Sequence, residues 1–138
     1  MTENETVWSK PEKEIARKAY RAAYHRECSD ILMTVRKTAS EAEDPAGLWK
    51  IHDFLREKRR ESDEKYDYRY SVLRWVFARL MYEGWLKPED LEGISEEKLL
   101  GIRQFAEFYA YEALGWHYND TDPLFMEKKR SFDGAIKK

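Results

Sequence analysis

The chain has 138 residues and a formal net charge of -2, with 38% charged and 14% aromatic residues. A disordered segment is poor in aromatics, so this composition points to one folded domain with a modest core that uses its rings in packing or in an interface. Interspersed acids and bases give no global case for nucleic acid, no apolar run approaches a membrane span, and the single Cys28 excludes an internal disulfide and a multi-Cys metal site, so a cytoplasmic protein is expected.

Only 6 Gly and 4 Pro over this length favour long helices over a turn-rich sheet protein. Residues 1–8 read as a flexible, acidic N-terminal tail. Ser9 begins the first helix: its side chain caps free N–H groups, Pro11 suits the first turn, and Glu12 occupies the capping-box position. Ile15, Ala16, Ala19, Tyr20, Ala23, Tyr24, Ile31, Leu32, Val35 and Ala39 continue a helical stripe to about residue 41. At 1.5 Å per residue that is roughly 45–50 Å, too long to be covered within so small a domain. A second long helix, or a second subunit, is expected against it.

Asp44 and Pro45 restart the helix as N-cap and first residue. Leu48, Ile51, His52 and Leu55 then share one face at i, i+3, i+4, i+7 spacing, with Trp49 and Asp53 one turn apart beside it and Arg56 and Arg59 beyond. From Arg56 to Lys65 no large apolar group occurs, so this stretch is expected to be solvated or to face a partner. A bend is expected near Tyr66-Asp67-Tyr68, where the apolar register resets. Val72, Leu73, Trp75, Val76, Phe77, Leu80 and Met81 form the most apolar helix, ended by Gly84. Pro88–Ile94 reads as a short helix or turn. Ser95, Glu96 and Glu97 start a last helix through Leu99, Leu100, Ile102, Phe105, Ala106, Phe108, Tyr109 and Leu114, to about Gly115. Residues 116–138 read as a C-terminal extension that docks through Leu124, Phe125 and Met126.

The chemistry-bearing residues argue for binding and against reaction. His52 and Asp53 are adjacent, so on a helix they point about 100° apart and cannot orient each other as base and carboxylate. There is no Gly-rich phosphate loop and no nucleophile-elbow motif. No Glu precedes His25, His52 or His117 by three residues, which excludes the di-iron bundle pattern, and His25 with Cys28 makes too few ligands for a metal. Lys58-Arg59-Arg60 is interleaved with Glu57 and Glu61, which repel phosphate. No cofactor, metal or catalytic residue is expected. Trp8, Trp75, Trp85 and Trp116 read as packing residues. Trp49 is the one that fits an interface anchor equally well, with Asp53 and Arg59 positioned to pair with each other or across a two-fold axis.

The run Leu48-Trp49-Lys50-Ile51-His52-Asp53-Phe54-Leu55, followed by Lys58-Arg59, Glu61, Asp63, Lys65-Tyr66-Asp67, Arg69, Ser71-Val72 and Val76-Phe77-Ala78, resembles the fluorescence recovery protein family of cyanobacteria. Trp8-Ser9, Ala23-Tyr24, Arg26-Glu27 and Glu83-Gly84 sit at fitting separations, and the resemblance spans about residues 7–105. It implies an all-α homodimer: a long antiparallel helical stalk (about 9–66) and a small helical head (about 69–115). It also implies an activity. Members bind the photoactivated orange carotenoid protein, speed its red-to-orange reversion and detach it from the phycobilisome, which ends photoprotective quenching at the thylakoid surface. The family's Trp, His, Asp and Arg near the dimer interface match Trp49, His52, Asp53 and Arg59. Trp49 and Asp53 are therefore expected to shape the dimer surface with His52 beside them, Arg59 to contact the client, and Phe77 to mark the head's contribution; Leu48, on the neighbouring apolar face, is expected at the same seam.

Two departures accompany the match: the chain continues past the family's usual end, with an aromatic run (Phe105, Phe108, Tyr109, Tyr111, Trp116) that the family lacks, and the third helix carries Arg74, Trp75, Arg79 and Tyr82. They leave open a second reading with the same fold. In it the chain is a helical dimer that serves as an interaction or scaffold protein for an unrelated client, in a bacterium without the carotenoid protein.

Overall fold

A computed structural model describes residues 7–113. Helix α1 (Lys10–Glu41) and helix α2 (Pro45–Lys65) form a long antiparallel hairpin. Helix α3 (Leu73–Glu83), a 3₁₀ turn (Pro88–Leu91) and helix α4 (Glu96–Ala113) form the head. Leu114, Gly115 and the extension with Leu124, Phe125 and Met126 lie outside the described residues.

The helix boundaries follow local chemistry. Ser9 accepts the Glu12 N–H at 3.2 Å, and the Glu12 carboxylate accepts the Ser9 N–H at 2.9 Å, closing the capping box. Asp44 caps α2 through the Gly47 N–H. A Cβ at Gly47 would lie 2.5 Å from the Ala42 Cβ, so the three-residue link between the long helices requires glycine there. Gly84 ends α3 in the left-handed conformation with φ 91°.

The core explains why the first half of α1 is rich in alanine. Ala16, Ala19 and Ala23 are buried, and their small side chains admit Leu73, Phe77 and Leu80 of α3 and Ile102 and Ala106 of α4 into one cluster. A seam of rings continues along the same side. Tyr24 meets Tyr66, Tyr66 meets Tyr20, Tyr20 meets Tyr68, Tyr68 meets Tyr70, and Tyr70 meets Trp8, at centroid distances of 4.7–6.0 Å. Trp8 then stands edge-on to Phe77 at 6.3 Å. Trp8, the last residue of the expected tail, is thus a core residue at 4% exposure.

Ion pairs, some of them buried, join the head to the stalk. Glu12 accepts the Lys98 ammonium at 3.1 Å and the Ser95 N–H at 2.9 Å, so the cap of α1 also holds the start of α4. Arg26 donates to Asp90 at 2.7 Å and to the Trp85 carbonyl at 2.8 Å. Lys65 bridges Glu27 at 2.7 Å and Glu83 at 2.6 Å; Tyr66 donates to Glu27 and Arg79 to Glu83, so two cations balance two anions at the junction of stalk and head. Lys65 corrects the expectation that the whole of Arg56–Lys65 is solvated: it is 5% exposed.

Beyond Glu27 the hairpin has no such cover. Between residues 28 and 64 no residue is buried, and Leu32, Met33, Leu48, Trp49 and Leu55 are all exposed. The apolar stripe of α1 therefore divides in two: Ala16–Ala23 lies under the head, whereas Leu32 and Ala39 face outward in the single protomer.

Candidate functional site

The residues singled out on α2 form one exposed surface. Leu48 and Trp49 are each 59% exposed, which leaves much of their apolar surface in water in the single protomer. The Trp49 ring stands edge-on to His52 at 6.0 Å. His52 Nδ1 lies 3.4 Å from the Asp53 carboxylate, so these neighbours do approach each other, contrary to the expectation from helical geometry. Their side chains are 60% and 79% exposed, which leaves no enclosed pocket around the imidazole in which such a pair could act as a base.

One helical turn beyond, charges pair along the axis. Arg59 donates to Asp63 at 3.2 Å, Lys58 meets Glu61 at 3.4 Å, and Arg60 pairs with both Glu57 and Glu64. The Arg60 guanidinium holds the Glu57 carboxyl below its ordinary range. Arg59 thus pairs with Asp63 in the protomer and not with Asp53, and Trp49 meets His52 and not Asp53. An Arg held by a carboxylate one turn away keeps a defined direction, which suits it to dock a partner's carboxylate or amide.

Asp63 also borders a shallow groove between the two stalk helices, lined by Tyr20, Tyr24, Ser62 and Tyr66. Tyr24 is 46% exposed at its mouth. Hydrogen bonding to Cys28, ahead of burial, pushes the Tyr24 hydroxyl above its ordinary range. This tyrosine groove beside Arg59 was absent from the expected site. Its only sequence signal is the i, i+4 pair Tyr20 and Tyr24, which equally describes core packing.

Phe77 does not belong to this surface. It is fully buried against Trp8, 6.3 Å away, and in this fold it supports the head from within. The exposed aromatics of the head are Trp75 and Phe108. Trp75 stacks on Phe105 at 3.7 Å and 6°, and Arg74 lies 5.8 Å over the same Phe105 ring.

A long helical hairpin joined to a small head, with exposed rings and paired charges along the hairpin, defines an all-helical protein. The family model described as photoprotection regulator fluorescence recovery protein matches residues 8–106. The chain is 42% identical over 102 residues to the fluorescence recovery protein of Synechocystis sp. PCC 6803, covering 74% of this chain and 94% of that protein. Its fold is similar to the solved structures of the fluorescence recovery proteins of Fremyella diplosiphon (TM-score 0.69, 41% identity) and Synechocystis sp. PCC 6803 (TM-score 0.69, 42% identity), each covering 72% of this chain and 98% of the other. The chain belongs to the fluorescence recovery protein family, whose members regulate photoprotection. Among the described residues no helix is long and apolar enough to cross a membrane.

Proposed function

We propose that this protein, as a homodimer in the cytoplasm at the thylakoid surface, binds the photoactivated orange carotenoid protein. It speeds the red-to-orange reversion and detaches the client from the phycobilisome. No covalent bond is made or broken. The protein favours the compact client, or the route to it, by contacting both domains of its client. The observation that carries this reading is the exposed α2 surface in a member of the family: Leu48, Trp49, His52, Asp53 and Arg59 are all in place and all accessible. The apolar end, Leu48 and Trp49, serves the dimer. Full burial of such side chains stabilises an interface by roughly 1.5–3 kcal/mol each. The charged end, Arg59 with Asp63, serves the client.

The test is optical. Purified orange carotenoid protein is driven to its red form by light, this protein is added, and the return to orange is followed in the dark. A dose-dependent acceleration is expected. An unchanged rate would assign the surface to another client, the reading favoured by the residues beyond 106 that the family model leaves unmatched.

A further inference from the structure

The head carries an apolar patch that nothing within the described residues covers. Trp75 is 37% exposed and Phe108 47%. Trp75 meets Phe105, Phe108 and Tyr109 at centroid distances of 3.7, 5.7 and 6.0 Å, so the rings already form one ordered platform between α3 and α4. Ordered rings with exposed faces cost side-chain freedom without removing apolar area from water, unless something lies on them.

We infer that this platform is the docking site for the protein's own segment 119–126, which lays Leu124, Phe125 and Met126 on Trp75 and Phe108. Position makes the segment the natural occupant. α4 leads directly into residues 114–138, and Phe108 lies about 7.5 Å back along the helix from Ala113 at 1.5 Å per residue. The stretch from Ala113 to Leu124 spans at most roughly 36–40 Å when extended, more than enough to return to the platform. Asn119-Asp120-Thr121-Asp122-Pro123 supplies the residue types that reverse a chain.

Arg74 borders the platform at Phe105 and gives Asp120 and Asp122, just before the apolar triplet, an opposite charge to approach, while the basic run Lys128-Lys129-Arg130 follows on the other side of the triplet. The comparisons agree as well. The match to the family ends at residue 106, so Phe108, Tyr109 and the segment that would cover them all fall in the part of the chain that the family model leaves unmatched. Platform edge and cover belong together.

Paramagnetic NMR on the full chain tests this. Cys28→Ser removes the native thiol, and Lys128→Cys carries a nitroxide beside the apolar triplet. The expected result is loss of the Trp75 indole and Phe108 amide signals relative to the reduced label, with stalk signals such as Leu32 retained. Adding Leu124→Asp and Phe125→Asp restores the lost signals. Isotope-labelled chains without nitroxide, mixed with nitroxide-bearing unlabelled chains, show no loss. Intact Trp75 and Phe108 signals in the first sample would overturn the inference in favour of an outside partner. Equal loss in the mixed sample would overturn it in favour of a second copy.

Discussion

Lys65 and Arg59 stand six positions apart on α2 and do opposite work. Lys65 is buried between Glu27 and Glu83, and removing it leaves the buried Glu27 carboxylate with only the Tyr66 hydroxyl and Glu83 with only Arg79. Lys65→Met is expected to cost about 3 kcal/mol or more, read from the urea midpoint, with Glu27→Gln in the same chain recovering part of the loss. No recovery would mean that packing, and not charge, is what Lys65 supplies. Arg59 is 81% exposed and paired only along its own helix. Arg59→Leu is expected to leave helix content and the urea midpoint unchanged and to weaken client binding, measured by titration against the photoactivated carotenoid protein. A lowered midpoint would make Arg59 a structural residue. The sequence can show the partner of Arg59, four residues away on the same helix, but not those of Lys65, which lie 38 and 18 residues away.

At the scale of the helices, what could be read from sequence was whatever neighbours decide. Ser9 with Glu12, Asp44 with Pro45, and Gly84 each act within a few residues, and each marks a boundary where the periodicity placed one. The apolar stripe of α1 was legible as a stripe, but not as two halves with different cover, since that depends on where α3 and α4 fold back. The same limit applies to Phe77, which reads as a family position in sequence and is a core ring in space. The uncovered half of the hairpin carries the prediction that belongs here. Leu48 and Trp49 are exposed in the protomer, so a charge at either position is tolerated in the monomer and is costly only in a packed seam. Leu48→Glu or Trp49→Glu is therefore expected to keep the far-ultraviolet dichroism and to weaken self-association by about 2–3 kcal/mol, roughly 30- to 150-fold in dissociation constant. Sedimentation velocity across a dilution series checks it. A variant that sediments as an unchanged dimer places the seam on another face.

Across the whole molecule, acid acts on the bonds that join head to α1. Burial pushes the Glu12 carboxyl up, but the N–H groups of Ser9 and Ser95 and the Lys98 ammonium outweigh it and lower the pKa from 4.5 to about 2. Burial likewise opposes, and Lys65 with Arg79 outweighs, at Glu83; Arg26 and the Lys87 N–H do the same at Asp90. All three carboxylates titrate lower in the folded state than in the unfolded chain. Their stabilisation is therefore complete above the ordinary carboxylate range and is lost as pH falls through it towards the folded values. The thermal midpoint is expected to be flat near neutrality and to drop steeply between about pH 5 and pH 2. Glu12→Gln separates this from general acid unfolding. The variant strands the Lys98 ammonium in a buried site, so it starts less stable at neutral pH, and it has one fewer low-titrating carboxylate, so its midpoint falls less steeply with acid. A slope equal to that of the parent chain would shift the acid sensitivity to Glu83 and Asp90.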